Sequence, residues 1–138
     1  MNSITLYRPV GIKELELIIQ NGFKAFPPRL EWQPIFYPVM NEEYAIEIAL
    51  KWNTTDEFSG YSGFVTAFDM DEKYIERYEI QNVGGKIHNE LWVPAEELED
   101  FNSNILGRIR ITKSFLGKDY VPTTDVVINE IVERTKIQ

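Results

Sequence analysis

The residues with the most chemical promise lie on one short segment, Ile87–Pro94. Read as a strand, it sends successive side chains to opposite faces. Ile87, Asn89, Leu91 and Val93 then form a mostly apolar inner face, and His88, Glu90 and Trp92 share the other. A carboxylate between an imidazole and an indole suits holding a sugar hydroxyl or stabilising a cation. The plain alternative is a solvent-facing strand acid. Arg8, late in the first apolar run, offers a rigid fork of donors for phosphate or carboxylate, or equally for a surface ion pair. Arg29 sits in a proline-stiffened loop and is a second candidate for an anion. Tyr37 and Tyr44 flank a strand-to-helix turn, where an aromatic side chain can stack on a flat ring or fill the core. Tyr61 and Ser62, in Ser59-Gly60-Tyr61-Ser62-Gly63, have glycine neighbours that permit a ligand to approach closely.

Other chemistries are set aside. The chain has no cysteine and a single histidine, so thiol catalysis, thiolate zinc and multi-histidine metal sites are excluded. There is no G-x-S-x-G, and Gly84-Gly85 lacks the rest of a phosphate loop. The 22 acidic residues leave a carboxylate pair for glycoside hydrolysis open. A formal charge of −8 opposes sequence-independent binding to nucleic acid or anionic lipid. No apolar run is long enough for a membrane span, and the start MNSITLYRPV lacks the pattern of a signal peptide. The expectation is a cytoplasmic protein with no membrane partner.

These residues must be positioned by a single domain over residues 1–138. A strand at Ile4–Val10 leads to a helix at Ile12–Gln20, stopped by Asn21-Gly22. Phe23–Pro34 reads as an ordered loop, and Ile35–Val39 as a short strand interrupted by Pro38. Asn41 caps a helix whose inner face carries Tyr44, Ala45, Ile48, Ala49 and Trp52. Strands follow at Tyr61–Met70, Arg77–Val83 and Ile87–Val93, with another around Ile109 and Ile111. A short helix is expected at Ala95–Phe101 and a helical tail at Thr124–Lys136. This order implies an α+β fold with a mixed, mostly antiparallel sheet and helices concentrated in the N-terminal half.

Three segments, LYRPV, PIFYPVMNEEYAIEIA and NELWVPAEELEDFN, resemble in order and spacing the three motifs of the ADP-ribosyltransferase superfamily. The resemblance covers roughly residues 5–111 and maps Arg8 to the first motif, Tyr37 with Tyr44 behind it to the second, and Glu90 to the third. It implies an ADP-ribosyltransferase-like fold that binds NAD as substrate. Glu90, Arg8 and Tyr37 would be catalytic, and Arg8, Tyr37, Tyr44, Ser62 and His88 would contact the dinucleotide. The implied activity is transfer of ADP-ribose, with a protein as acceptor, or hydrolysis of NAD. The run VGGKIHNELWVPAEELEDFN is also similar to short bacterial proteins named after ADP-ribosylation and crystallin. Their namesakes are larger, all-helical hydrolases, and that activity does not carry over. Pro9 stands where many relatives have a glycine N–H for the nicotinamide amide, His88 stands where arginine-modifying members have Glu or Gln, and Pro38 follows Tyr37. These departures imply the alternative: a non-catalytic domain on the same scaffold, binding NAD, ADP-ribose or a protein.

Overall fold

The computed structural model describes residues 2–137. Its centre is a three-stranded antiparallel sheet in the order β1-β3-β7, made of β1 (Ser3–Val10), β3 (Ser62–Asp71) and β7 (Ile105–Leu116). The middle strand is buried along nearly its whole length, because both faces of the sheet are covered. On one face, Leu6, Phe64, Phe68, Ile109 and Ile111 pack with α1 (Ile12–Gln20), α4 (Leu98–Ser103) and α5 (Val126–Thr135). On the other, Val65 and Phe115 pack with Ala45 and Ala49 of α2 (Glu42–Lys51). Gly63 lets α2 come this close: a Cβ there would lie 2.8 Å from that of Ala49. Phe26, Phe36, Phe68 and Phe101 form the aromatic centre, with ring centroids 4.8 to 6.1 Å apart in tilted and edge-on contacts.

The helices begin and end as local chemistry requires. The side-chain oxygen of Asn41 accepts the Tyr44 N–H at 2.8 Å, and Glu42 and Glu43 occupy the first turn of α2. Asp125 caps α5 by accepting from Val127 and Ile128. The first helix stops at Asn21 and Gly22, where the glycine takes φ +76°.

Past β1 the sheet is extended by a bridge at Val39 and a two-stranded hairpin. Tyr7 and Val39 exchange backbone hydrogen bonds of 3.0 and 2.8 Å. Val39 is bridged in turn to Glu90 of β5 (Asn89–Leu91), which forms a hairpin with β4 (Ile80–Asn82). Beside it, β2 (Ile35–Phe36) pairs with β6 (Val93–Pro94). Among the described residues all strand pairs are antiparallel, and the one parallel contact is the isolated bridge between Ser114 and Lys136. A short helix, α3 (Glu72–Ile75), follows β3. Among the described residues no helix is long and apolar enough to cross a membrane.

The α+β class with antiparallel pairing is observed, with four differences from expectation. Helices are not concentrated early, because α4 and α5 are needed to cover one face of the sheet. The strand expected at Arg77–Val83 is confined to Ile80–Asn82, because a turn that returns the Tyr78 N–H to Ile75 O takes up its start. The run Ile87–Pro94 splits at Trp92, since β5 pairs with β4 while β6 crosses to β2. Trp52 lies past the last turn of α2 and is 66% exposed rather than on its inner face.

Phe101 touches the rings of Phe36, Phe68, Tyr74 and Tyr78 and is fully buried. Phe101→Ala is expected to lower unfolding free energy by about 3–5 kcal/mol, as measured by chemical denaturation.

Candidate functional site

The extension of the sheet past β1 explains how residues far apart in sequence meet. Arg8 lies on β1, Tyr37 just before the Val39 bridge and Glu90 on β5. Val39 is hydrogen-bonded to β1, while Leu91 N–H donates to Pro38 O and Met40 N–H to Asn89 O, both at 2.9 Å. Neighbouring strands lie about 5 Å apart, so the three segments run side by side. Arg8, Tyr37 and Glu90 line one cleft of about 540 Å³, together with Pro9, Trp52 and Trp92 among others.

Glu90 is held from two sides. The Tyr44 hydroxyl donates to its Oε2 at 2.9 Å, and Trp92 Nε1–H donates to its Oε1 at 2.8 Å. Each carboxylate oxygen keeps a lone pair for a further donor. Tyr37 and Trp92 are 41% and 45% exposed, so the carboxylate stands beside accessible aromatic surface. That combination suits a flat ring or a sugar carrying positive charge. Desolvation, followed by the hydrogen bond to Glu90, pushes the Tyr44 hydroxyl up to about 12. Tyr44 therefore stays a donor across the neutral range.

Arg8 spends its fork differently. Its Nε and one terminal nitrogen bind the two oxygens of Glu14 at 2.8 and 2.9 Å, and the other reaches Tyr37 O at 3.4 Å. The guanidinium lies over the Phe36 ring, 4.6 Å from its centroid. Glu14 is the partner that reading the strand by itself could not supply.

His88 sits behind Tyr44 and does not line the cleft. Its ring lies 4.8 Å from that of Tyr44, its Nδ1 accepts the Gly85 N–H, and its Nε2 meets Glu47 at 3.1 Å. The bond to His88, with weaker help from Lys51, holds the Glu47 carboxylate below its ordinary range. Ser62, expected near the ligand, is fully buried; its hydroxyl donates to Ser59 O at 2.9 Å and it does not line the cleft. Burial of both faces of β3 is the reason. Trp52 and Asn53 were not anticipated, although an exposed tryptophan at a helix end next to a turn is a signal that points to such a wall. Asn53 donates to Ser59 Oγ, while its own buried Oδ1 accepts from no described group.

Comparison with protein-family models, curated proteins and solved structures finds no match.

The Tyr44–Glu90 bond makes a pH prediction. The folded tyrosine holds its proton more tightly than the ordinary value of 10. Its stabilising effect is complete below pH 10 and is lost as pH rises from there towards 12. Tyr44→Phe is expected to show a shallower loss of stability over that window and about 1 kcal/mol lower stability at neutral pH. Thermal unfolding at a series of pH values measures both.

Proposed function

We propose that the protein binds a nicotinamide dinucleotide, with the nicotinamide–ribose half in the Arg8–Tyr37–Glu90 cleft, and acts on its glycosidic bond. The observation that carries this reading is the meeting of Arg8, Tyr37 and Glu90 in one aromatic-walled cleft. In NAD the nicotinamide ring bears a positive charge and is flat, which suits Tyr37 and Trp92 as walls and Glu90 as the counter-charge.

The reaction has a simple balance. The bond between the ring nitrogen and ribose C1′ breaks, and its electron pair leaves with neutral nicotinamide. The charge left at C1′ is stabilised by Glu90, whose fixed orientation between Tyr44 and Trp92 needs no rearrangement as the charge develops. Water or an acceptor side chain attacks C1′ and releases its proton, giving ADP-ribose or an ADP-ribosylated acceptor.

A second reading is favoured by two specific features. Pro9 borders the cleft and has no N–H to offer a nicotinamide amide, and the Arg8 fork is already occupied by Glu14. In this reading the cleft binds NAD or ADP-ribose without cleaving it.

Incubation with NAD, followed by chromatographic measurement of free nicotinamide, tests the enzymatic reading. Release is expected, and Glu90→Gln is expected to slow it by about 100-fold or more. Release at an unchanged rate in that variant would sink the role given to Glu90. Calorimetric binding of NAD without release selects the non-catalytic reading, and the absence of both overturns the two together.

A further inference from the structure

A second groove opens on the other side of Arg8. It has a volume of about 450 Å³ and shares Arg8, Pro9, Trp52 and Asn53 with the first cleft, so the two are continuous. Its charged lining is three cations, Arg8, Lys13 and Arg29, against the single carboxylate of Glu14. In a chain of net charge −8 this is a local reversal of sign.

The reversal is not neutralised within the fold. Glu14 gives both its oxygens to Arg8. Among the described residues, Arg29 and Lys13 have no carboxylate within 4.0 Å. Arg29 donates its Nε–H to Ile35 O at 3.1 Å, and its two terminal nitrogens donate to no described group. It is half-buried and its guanidinium lies 6.0 Å from the centroid of the Phe36 ring that also carries Arg8. Burial and the nearby Arg8 charge hold its pKa below the ordinary value, against a smaller opposing effect of the more distant Glu14. A half-buried cation beside a second cation, with four of its five N–H donors unused by the described residues, favours an anion at that place.

The remaining walls narrow the ligand. Gln33 uses its side-chain oxygen on Leu30 N–H, which leaves its amide N–H groups as further donors. Trp52 and Phe58, 66% and 78% exposed, offer aromatic surface on the same groove. The uncapped start of α1 opens there too and adds its positive end to the charge of the arginines.

We infer that this groove is an anion subsite, built on Arg29 with Arg8 and Lys13, for the phosphates of a ligand whose flat ring packs on Trp52 or Phe58: a nucleoside diphosphate. The planar fork of Arg29 matches two phosphate oxygens at once. The subsite stands on its own geometry. Only its assignment to the same molecule as the Glu90 cleft rests on the function proposed above.

Titration calorimetry of the full chain with ADP and with pyrophosphate tests it. Both are expected to bind, more weakly as salt is raised, and adenosine is expected to bind less well than ADP. Arg29→Gln is expected to weaken ADP by about tenfold or more, with Arg29→Lys between it and the wild type. Because Arg29 also holds Ile35 O, Lys13→Glu serves as the control for folding. Its exposed side chain supports no described contact, and ADP binding is expected to fall about threefold. Failure of the wild type to bind either ADP or pyrophosphate overturns the inference, as does ADP affinity unchanged by Lys13→Glu or by a folded Arg29→Gln. Nicotinamide riboside, which has no phosphate, separates the two proposals. If it fails to bind while ADP binding depends on Arg29, the subsite stands and the Glu90 reading falls.

Discussion

The pair of backbone hydrogen bonds between Tyr7 and Val39 is the contact on which the candidate site depends. Without them the central sheet would end at β1, and Glu90 would have no fixed distance from Arg8. With them, one residue of extended chain joins the β4-β5 hairpin to the core sheet. Pro38 does not spoil this join. It lacks an N–H, but its carbonyl accepts from Leu91 while the N–H groups of Val39 and Met40 make the remaining bonds. The small α2 residues Ala45 and Ala49 and the bare Gly63 press the other layer close, so Val39 is buried and the join is protected from water.

Phe36 has a comparable role for charge. Its ring is in the core, yet Arg8 and Arg29 both lie over it. Glu14 binds one arginine directly, and among the described residues no carboxylate lies within 4.0 Å of the other. The result is a pair of adjoining clefts of different character: a carboxylate oriented by Tyr44 and Trp92 in one, and unanswered positive charge in the other. A uniform acidic surface would favour neither. The contrast makes the groove directional, and a ligand with a cationic and an anionic end is the kind that both halves suit.

Much of the local structure is legible from the residues. The apolar spacing in Ile12–Gln20 and its Asn-Gly stop, the Asn41 cap, the alternation around Ile109 and Ile111, and the shared side of Glu90 and Trp92 all reflect interactions within a few positions. Trp92 indeed donates to Glu90. Less legible are features set by distant partners. Nothing near Trp92 says that the strand divides there, because the division follows from β5 and β6 choosing different neighbours. Ser62 reads as a strand entry that its glycine neighbours open to a ligand, yet packing over the sheet buries it. Trp52 continues the apolar face of α2, but the helix ends before it.

The sequence by itself determined the residue types, the local periods and the caps, and through them the α+β class and most of the element positions, because these depend on short-range sterics and hydrogen bonding. Only the tertiary structure decided that Arg8, Tyr37 and Glu90 share a cleft, that Glu14 takes the fork of Arg8, that His88 turns to Glu47, and that no described carboxylate comes within 4.0 Å of Arg29. Those outcomes depend on which strands pair and how the layers pack, and such long-range choices leave no mark in the spacing of any one segment.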